Sequence, residues 1–235
     1  MLARLHISRR ALVRALLLTA GMNPCLLGAV RSAHAMAQRP IVPGVQEFEG
    51  DLRLNGAPAR PGQPVKPGDI AQTGPGSSAV IIVGRNAFML RENTRIEFYP
   101  VYFEADGDVS GVLKVATGAM LSVFGKTKNT TIATPVATIG IRGTGCYVES
   151  RPGRTYACVC YGQADLASAA TGQFLETVRT THHDQPRFIY PPGAPAPIEA
   201  APVIDHKDAE LRLLEALVHR RPPFDDDDGT RLDRY

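Results

Sequence analysis

Three cysteines and an adjacent pair of histidines are the residues of this chain best suited by type and spacing to chemistry. Cys158 and Cys160 are separated by a single residue, Cys146 precedes them, and His182-His183 follow. Thiolate and imidazole groups together bind soft or borderline metal ions and haem iron. Cysteines also form disulfides in oxidising compartments, or remain buried as small apolar side chains. These residue types therefore leave three kinds of chemistry open.

The predicted β-hairpin that carries the cysteines decides which of them can meet. On its second strand Cys158 and Cys160 project to the same face. If the loop holds only Pro152-Gly153, Cys146 lies opposite Val159 and faces away from both other thiols. If the loop holds an odd number of residues, Cys146 lies opposite Cys158 or Cys160, and a cross-strand disulfide leaves one odd thiol. We predict a disulfide plus one buried thiol. The alternatives are inert thiols or a metal site formed by Cys158, Cys160, His182 and His183.

The chain lacks the sequence motifs of the common enzyme classes. It has no nucleophile elbow, no H-E-x-x-H helix and no phosphate-binding loop. A Cys–His–Asp set can be drawn from Cys160, His182 and Asp184, but such sets can be drawn from most chains of this length. We therefore predict a noncatalytic protein without a cofactor, with a metal ion or haem as the alternative.

Short strands separated by turn residues must position these groups. They are rich in Val, Ile, Thr, Tyr and Phe, and no helical period appears before residue 200. The predicted strands are Gln46–Leu54, Ala79–Val83, Ala87–Leu90, Thr94–Val101, Gly111–Val115, Ala119–Phe124, Thr130–Val136, Gly145–Ser150, Thr155–Tyr161 and Phe174–Arg179. We predict an all-β domain over residues 44–190 whose strands stack in a solenoid-like or sandwich-like way, and we favour stacked β turns.

The composition changes after this domain. Five prolines fall within Pro191–Pro202, which predicts a stiff extended linker over residues 191–204. Leucines at helical spacing then predict an amphipathic helix over residues 205–221, capped by Asp205 or Asp208, that docks its apolar stripe on the β domain. Residues 222–235 are predicted to form a solvated acidic tail.

The first 35 residues have the features of an export signal. Arginines precede an apolar stretch, and a small-x-small site ends it: Arg4, Arg9, Arg10, residues 11–30 and Ala33-His34-Ala35. Twin-arginine export and general secretion both stay open, and an uncleaved membrane anchor is the alternative to cleavage. A flexible leader is predicted over residues 36–43. We predict a periplasmic protein that meets a membrane only if the signal is uncleaved.

The charge balance argues against nucleic acid as a partner. The 235 residues include 26 Lys and Arg and 23 Asp and Glu. Five of the arginines fall within residues 1–35, which hold no acidic residue. The remainder is slightly acidic, and such a chain has no general affinity for phosphates.

Three groups of residues resemble the FecR-type domain, a family typified by the periplasmic part of ferric-citrate regulators. They span roughly residues 65–165 in the family's order: Pro67-Gly68-Asp69 with Thr73-Gly74; Leu90 with Asn93-Thr94 and Ile96; Thr134-Pro135, Ala137 and Ile141-Arg142-Gly143-Thr144. The resemblance implies an extracytoplasmic, β-stacked module used for sensing, binding or assembly, with no enzymatic activity. Few residues precede the apolar stretch, so we expect no sigma-factor-binding segment.

The matched residues have structural explanations of their own. Gly68 suits a tight turn in which Asp69 accepts a backbone N–H. Gly143 and its neighbour Thr144 lie between apolar strands, where bends favour glycine. Arg142 should be exposed or held by carbonyls and a carboxylate, and we favour the second arrangement. We predict an envelope protein or glycan as partner. The alternatives to this binding module are a metal- or haem-holding redox accessory protein and a regulator of iron-responsive signalling.

Overall fold

A computed structural model describes residues 40–103, 109–125 and 130–225 of the chain. The described residues form fourteen strands and one α-helix, so the predicted all-β class with a C-terminal helix is confirmed. The strands are β1 (Gly44–Glu49), β2 (Leu52–Leu54), β3 (Ala57–Pro58), β4 (Ile70–Thr73), β5 (Ser78–Val83), β6 (Asn86–Leu90), β7 (Arg95–Phe103), β8 (Val109–Val123), β9 (Thr130–Ala133), β10 (Ala137–Arg151), β11 (Arg154–Ser168), β12 (Phe174–Thr180), β13 (Arg187–Ile189) and β14 (Ile198–Ala200). The helix is α1 (Asp208–Leu217).

All fourteen strands belong to one sheet. Its longest path runs β14-β13-β11-β10-β9-β8-β7-β4-β2-β3, while β1, β5 and β6 join at β8 and β12 joins at β11. Among the described strands, only β8 and β9 pair in parallel. Antiparallel hairpins such as β10–β11 build most of this mixed sheet.

Both faces of this sheet are apolar, because successive side chains of its central strands are buried on opposite sides. On β5, Ile81 and Val83 face one cluster and Val80 and Ile82 face another. We call the first the inner cluster. Its members come from strands along most of the chain, from β1 at one end to β13 at the other, so the sheet curves around this cluster. We call the second the outer cluster, which includes Met89, Leu121, Tyr147, Tyr156, Cys158 and Cys160.

Helix α1 covers the outer cluster. Leu211 and Leu214 are fully buried against the sheet, and Leu213 and Leu217 are nearly so. The N-cap is Lys207, whose backbone N–H donates to Glu210 Oε2 at 3.0 Å. The prediction that Asp205 or Asp208 caps the helix is therefore wrong. Within the described ranges, no helix combines the length and the apolar composition that crossing a bilayer requires.

The predicted linker over residues 191–204 is wrong in part. Ile198–Ala200 form β14, which pairs with β13, and the Tyr190 N–H donates to the Pro197 carbonyl at 3.0 Å.

Of the predicted acidic tail, Pro223–Asp225 form a 3-10 turn, and Asp225 accepts a hydrogen bond from Arg212 at 2.8 Å. The predicted signal and most of the leader, residues 1–39, lie outside the described residues, as do residues 226–235.

Candidate metal centre

Four buried side chains converge beneath helix α1. They are Cys158 and Cys160 of β11, His183 of the turn after β12, and His206 of the segment before α1. One ligand atom of each lies within 4.8 Å of the other three. Three separate parts of the chain thus bring two sulfur and two nitrogen ligands to one point.

The hairpin β10–β11 sets the direction of the thiols. Its loop holds only Pro152-Gly153, with Gly153 at a φ of 71°, a conformation that glycine adopts without strain. This register pairs Tyr147 with Cys158 and sends the side chains of Cys158 and Cys160 into the outer cluster.

The same register removes Cys146 from the site. Cys146 lies opposite Val159 and is buried in the inner cluster, on the other face of the sheet. All three described cysteines are free thiols. The predicted disulfide is therefore wrong, because the two-residue loop aims Cys146 away from Cys158 and Cys160. Burial raises the pKa of the Cys146 thiol, as expected of an inert apolar side chain.

A tight turn after β12 places His183. Its backbone N–H donates to the Cys160 carbonyl at 3.0 Å, and its φ is 53°. Asp184 holds the turn, since its carboxylate accepts hydrogen bonds from the Thr180 hydroxyl and from the His182 N–H. The imidazole of His183 is thereby directed at Cys158, with 3.6 Å between Nδ1 and Sγ.

Each histidine of the centre has its second ring nitrogen occupied. Nε2 of His183 lies 3.1 Å from Asp208 Oδ1, and Nδ1 of His206 lies 2.6 Å from the Ile204 carbonyl. Carboxylates and carbonyls accept hydrogen bonds only, so these nitrogens carry protons. The opposite nitrogens, His183 Nδ1 and His206 Nε2, then face each other at 2.9 Å. Two lone pairs at that distance require a shared proton or a cation between them.

Protons supply that positive charge in the metal-free protein. Burial opposes a charge on His183, but hydrogen bonds with Asp208 and Cys158 outweigh it and raise the His183 pKa to about 9. A hydrogen bond from Cys160 and the nearby His183 and His206 hold the pKa of Cys158 well below its ordinary value. Burial raises the pKa of Cys160. These shifts favour a thiolate at Cys158 and a proton on His183 when no metal ion is bound.

A divalent transition-metal ion fits this ligand set. Two thiolates neutralise its charge, which buried sites require, and it takes the place of the protons on His183 and Cys160. Ligands of tetrahedral zinc lie about 3.3–3.8 Å apart, given Zn–S and Zn–N bonds of about 2.3 and 2.0 Å. The separations of 2.9 and 3.6 Å around His183 Nδ1 are close to that range. A tetrahedral S2N2 set is typical of zinc. The predicted alternative of haem does not fit, since ligands so close together leave no space for a macrocycle.

One predicted ligand is replaced by another. His182 Nε2 lies 2.9 Å from Asp208 Oδ1 and is outside the group of four, whereas His206 completes it. Sequence reasoning missed His206 because it is isolated in the chain and falls within the first turn of the helix predicted over residues 205–221. The sequence around it offers no local signal of a ligand.

The residues of the FecR-type resemblance lie elsewhere and have structural contacts. Asp69 accepts the Lys66 N–H at 2.7 Å, beside Gly68 with its φ of 88°. Arg142 pairs with Asp165 at 2.6 Å while 61% of its side chain stays exposed, so a carboxylate holds it on the surface. Gly143 has a φ of 61°, and the Thr144 hydroxyl donates to the Tyr161 carbonyl. None of these residues belongs to the group of four ligands.

A cleft of about 1060 Å³ opens beside the centre. The tip of the β10–β11 hairpin, the turn before β7 and the segment 203–210 line it. Tyr147 lies in its wall and stacks on His206, with ring centroids 4.7 Å apart and planes 14° apart. Of the four candidate ligands, which all lie in the described part of the chain, only His206 lines this cleft.

The fold and site define an all-β protein with a C-terminal helix over a buried S2N2 cluster. No protein-family model and no curated protein sequence matches the chain. Two crystal structures of a candidate anti-sigma factor from Parabacteroides distasonis, at 2.50 and 1.65 Å resolution, align with it at 10% identity and TM-scores of 0.45 and 0.44. In each case the match covers 56% of this chain and 59% of the crystallised chain. The FecR-type resemblance of the sequence therefore stays a prediction.

Proposed function

We propose that this chain is a noncatalytic β module that holds one zinc-type divalent ion in a closed site formed by Cys158, Cys160, His183 and His206. The observation that carries the proposal is the pair of facing nitrogens of His183 and His206, which lie 2.9 Å apart while the far nitrogen of each ring contacts a hydrogen-bond acceptor. Such outer partners orient metal-bound histidines in proteins. The ion joins β11 to the segment before α1. It thereby stabilises the docking of α1 on the outer cluster.

The proposed setting is the bacterial cell envelope, where the module binds or senses a protein or glycan partner. The export-signal features of residues 1–35 and the FecR-type resemblance support this setting. A four-ligand site leaves no open coordination position for a substrate, which supports a noncatalytic role. With zinc in the site the centre has no redox chemistry of its own, so this proposal differs from the redox accessory alternative in the identity of the ion. Nothing in the described residues favours the iron-signalling alternative.

Metal analysis of the full chain tests the proposal. The protein, purified under reducing conditions without chelator, is expected to hold one zinc ion per chain. Cobalt(II) in its place is expected to give the intense visible absorption of a tetrahedral thiolate site. The double variant Cys158→Ser and Cys160→Ser should lose both signals. The matched control Cys146→Ser changes an equally buried thiol on the opposite face and should retain both.

Two outcomes would contradict the proposal. One is a wild-type chain that takes up neither zinc nor cobalt after reduction. The other is equal metal binding by the double cysteine variant and the wild type, with all proteins folded by circular dichroism.

A further inference from the structure

We propose that His206 is the exchangeable ligand of this centre and that the cleft beside Tyr147 is the route by which a hydrated divalent cation reaches and leaves it. This inference rests on the proposed metal centre and adds how its occupancy is controlled. It separates the four ligands into three that belong to the rigid sheet and one that can move.

Three ligands are fixed by the sheet. Cys158 and Cys160 lie on β11, which pairs with β10 on one edge, with a bulge at Cys160, and on its other edge with β13 before the two thiols and with β12 after them. His183 is tied to the same strand by its N–H bond to the Cys160 carbonyl and is held at Nε2 by Asp208. Moving any of these three requires breaking strand pairing or the turn after β12.

His206 has a different attachment. It lies between β14 and α1 in a segment without regular structure, next to Asp205 at a φ of 52°. Its imidazole bonds to the Ile204 carbonyl of the same segment and stacks on Tyr147. A backbone rotation near Asp205 could therefore move the ring without breaking the hydrogen-bonded ladder of any strand.

The cleft leads to His206. Tyr147 and His206 share its wall, while Cys158, Cys160 and His183 do not line it. Five carboxylates and three basic side chains are distributed around it, so its field favours cations over anions. A hydrated cation thus meets His206 before any other ligand.

Arg91 fastens the moving segment from the cleft side. Its guanidinium donates to Glu210 Oε1 and Oε2 at 2.8 Å each and to the Asp205 carbonyl at 2.7 Å. The carbonyl precedes His206 and the carboxylate lies in the first turn of α1. Arg91 therefore bridges both sides of His206 and should set how often the segment opens, although it is not itself a ligand.

Chemical rescue with imidazole tests the route. Cobalt(II) is loaded into the full-length wild type, His206→Gly and His183→Gly, and its release to excess chelator is followed by visible absorption. His206→Gly should release cobalt at least about 10-fold faster than the wild type, because it loses a ligand, and changing only an outer partner of a ligand already costs about 10- to 100-fold in affinity. Millimolar imidazole should enter from the cleft, restore the tetrahedral spectrum and slow the release. His183→Gly should show no rescue, because its vacated position is closed to the cleft.

A second variant keeps the test decisive if His206→Gly takes up no cobalt. Arg91→Ala retains all four ligands, so it should bind cobalt with an unchanged spectrum and release it several-fold faster. Equal rescue of both glycine variants, no rescue of a cobalt-binding His206→Gly, or wild-type release by Arg91→Ala would each overturn the route. Failure of the wild type to bind cobalt would instead overturn the metal centre itself.

Discussion

Asp208 contacts a ligand of the centre without being a ligand itself. Its carboxylate receives the ring N–H of His183 and lies 2.9 Å from Nε2 of His182. The hydrogen bonds of both histidines outweigh burial and hold the Asp208 pKa below its ordinary value, so the group is a carboxylate. A negative charge there fixes the tautomer of His183 and makes its Nδ1 a stronger donor to a metal ion.

Asp208→Asn should weaken zinc binding about 10- to 100-fold, because the amide keeps the shape of the carboxylate without its charge. A competition titration with a chromophoric chelator measures this change. The matched control is His182→Gln, which removes the other partner of Asp208 and should leave the affinity within a few-fold of wild type. An equal loss in both variants would show that Asp208 acts only by holding the local fold.

Three of the four ligands, Cys158, Cys160 and His183, were among the residues that the sequence predicts for a metal site. Strand alternation placed Cys158 and Cys160 on one face without any three-dimensional information. The choice between His182 and His183 could not be made from adjacent letters, because the left-handed φ of His183 decides which ring turns inward. His206 is brought in by tertiary packing alone, which no local pattern describes.

Among the elements, β12 and β13 form the frame of the turn that carries His183. Arg187 on β13 forms a bidentate pair with Glu176 on β12, with both contacts at 2.7 Å. The two side chains are 17% and 30% exposed, so solvent screens the pair only in part. The hydrogen bonds of Arg187 hold the Glu176 pKa below its usual range.

Glu176→Gln should therefore destabilise the protein by about 1 kcal/mol at neutral pH. Because the folded-state pKa of Glu176 is lowered, its contribution is present above the ordinary glutamate pKa of about 4.3 and disappears as pH falls through the folded value. Urea unfolding at pH 7 and near pH 3 measures how much of the contribution disappears once the pH lies below the ordinary glutamate pKa. The exposed Glu199→Gln on β14 serves as control. A destabilisation of Glu176→Gln that persists undiminished at pH 3 would contradict this account.

The strands, the predicted linker and the β10–β11 loop show where local sequence patterns predict the structure and where they do not. Alternation predicted β5, β6 and β7 within a few residues of their observed bounds. The linker prediction failed because β14 is stabilised by pairing with β13, a nonlocal contact that proline content does not exclude at a sheet edge. The direction of Cys146 depended on one loop residue more or less, which turn chemistry alone left open.

For the whole molecule, the decisive question is whether the metal ion or apolar packing holds helix α1. Leu211, Leu213, Leu214, Leu217 and Val218 are each at most 3% exposed. Each contributes about 1.5–3 kcal/mol through burial, which gives about 7–15 kcal/mol for the set. A metal ion at a thousand times its dissociation constant adds about 4 kcal/mol. Packing is therefore the larger of these two favourable contributions, although the entropy of ordering the helix offsets much of it, and we expect the helix to stay docked without metal.

Removal of the metal should accordingly lower the melting temperature without unfolding the chain. About 4 kcal/mol corresponds to a decrease of roughly 8–16 °C for a domain of this size. Far-UV circular dichroism of chelator-treated protein at 25 °C should match that of the loaded protein, while thermal scans should separate the two. The double variant Cys158→Ser and Cys160→Ser should melt at one temperature with and without zinc. Complete loss of structure on chelation, as in zinc fingers, would show instead that the outer cluster cannot hold α1 by itself.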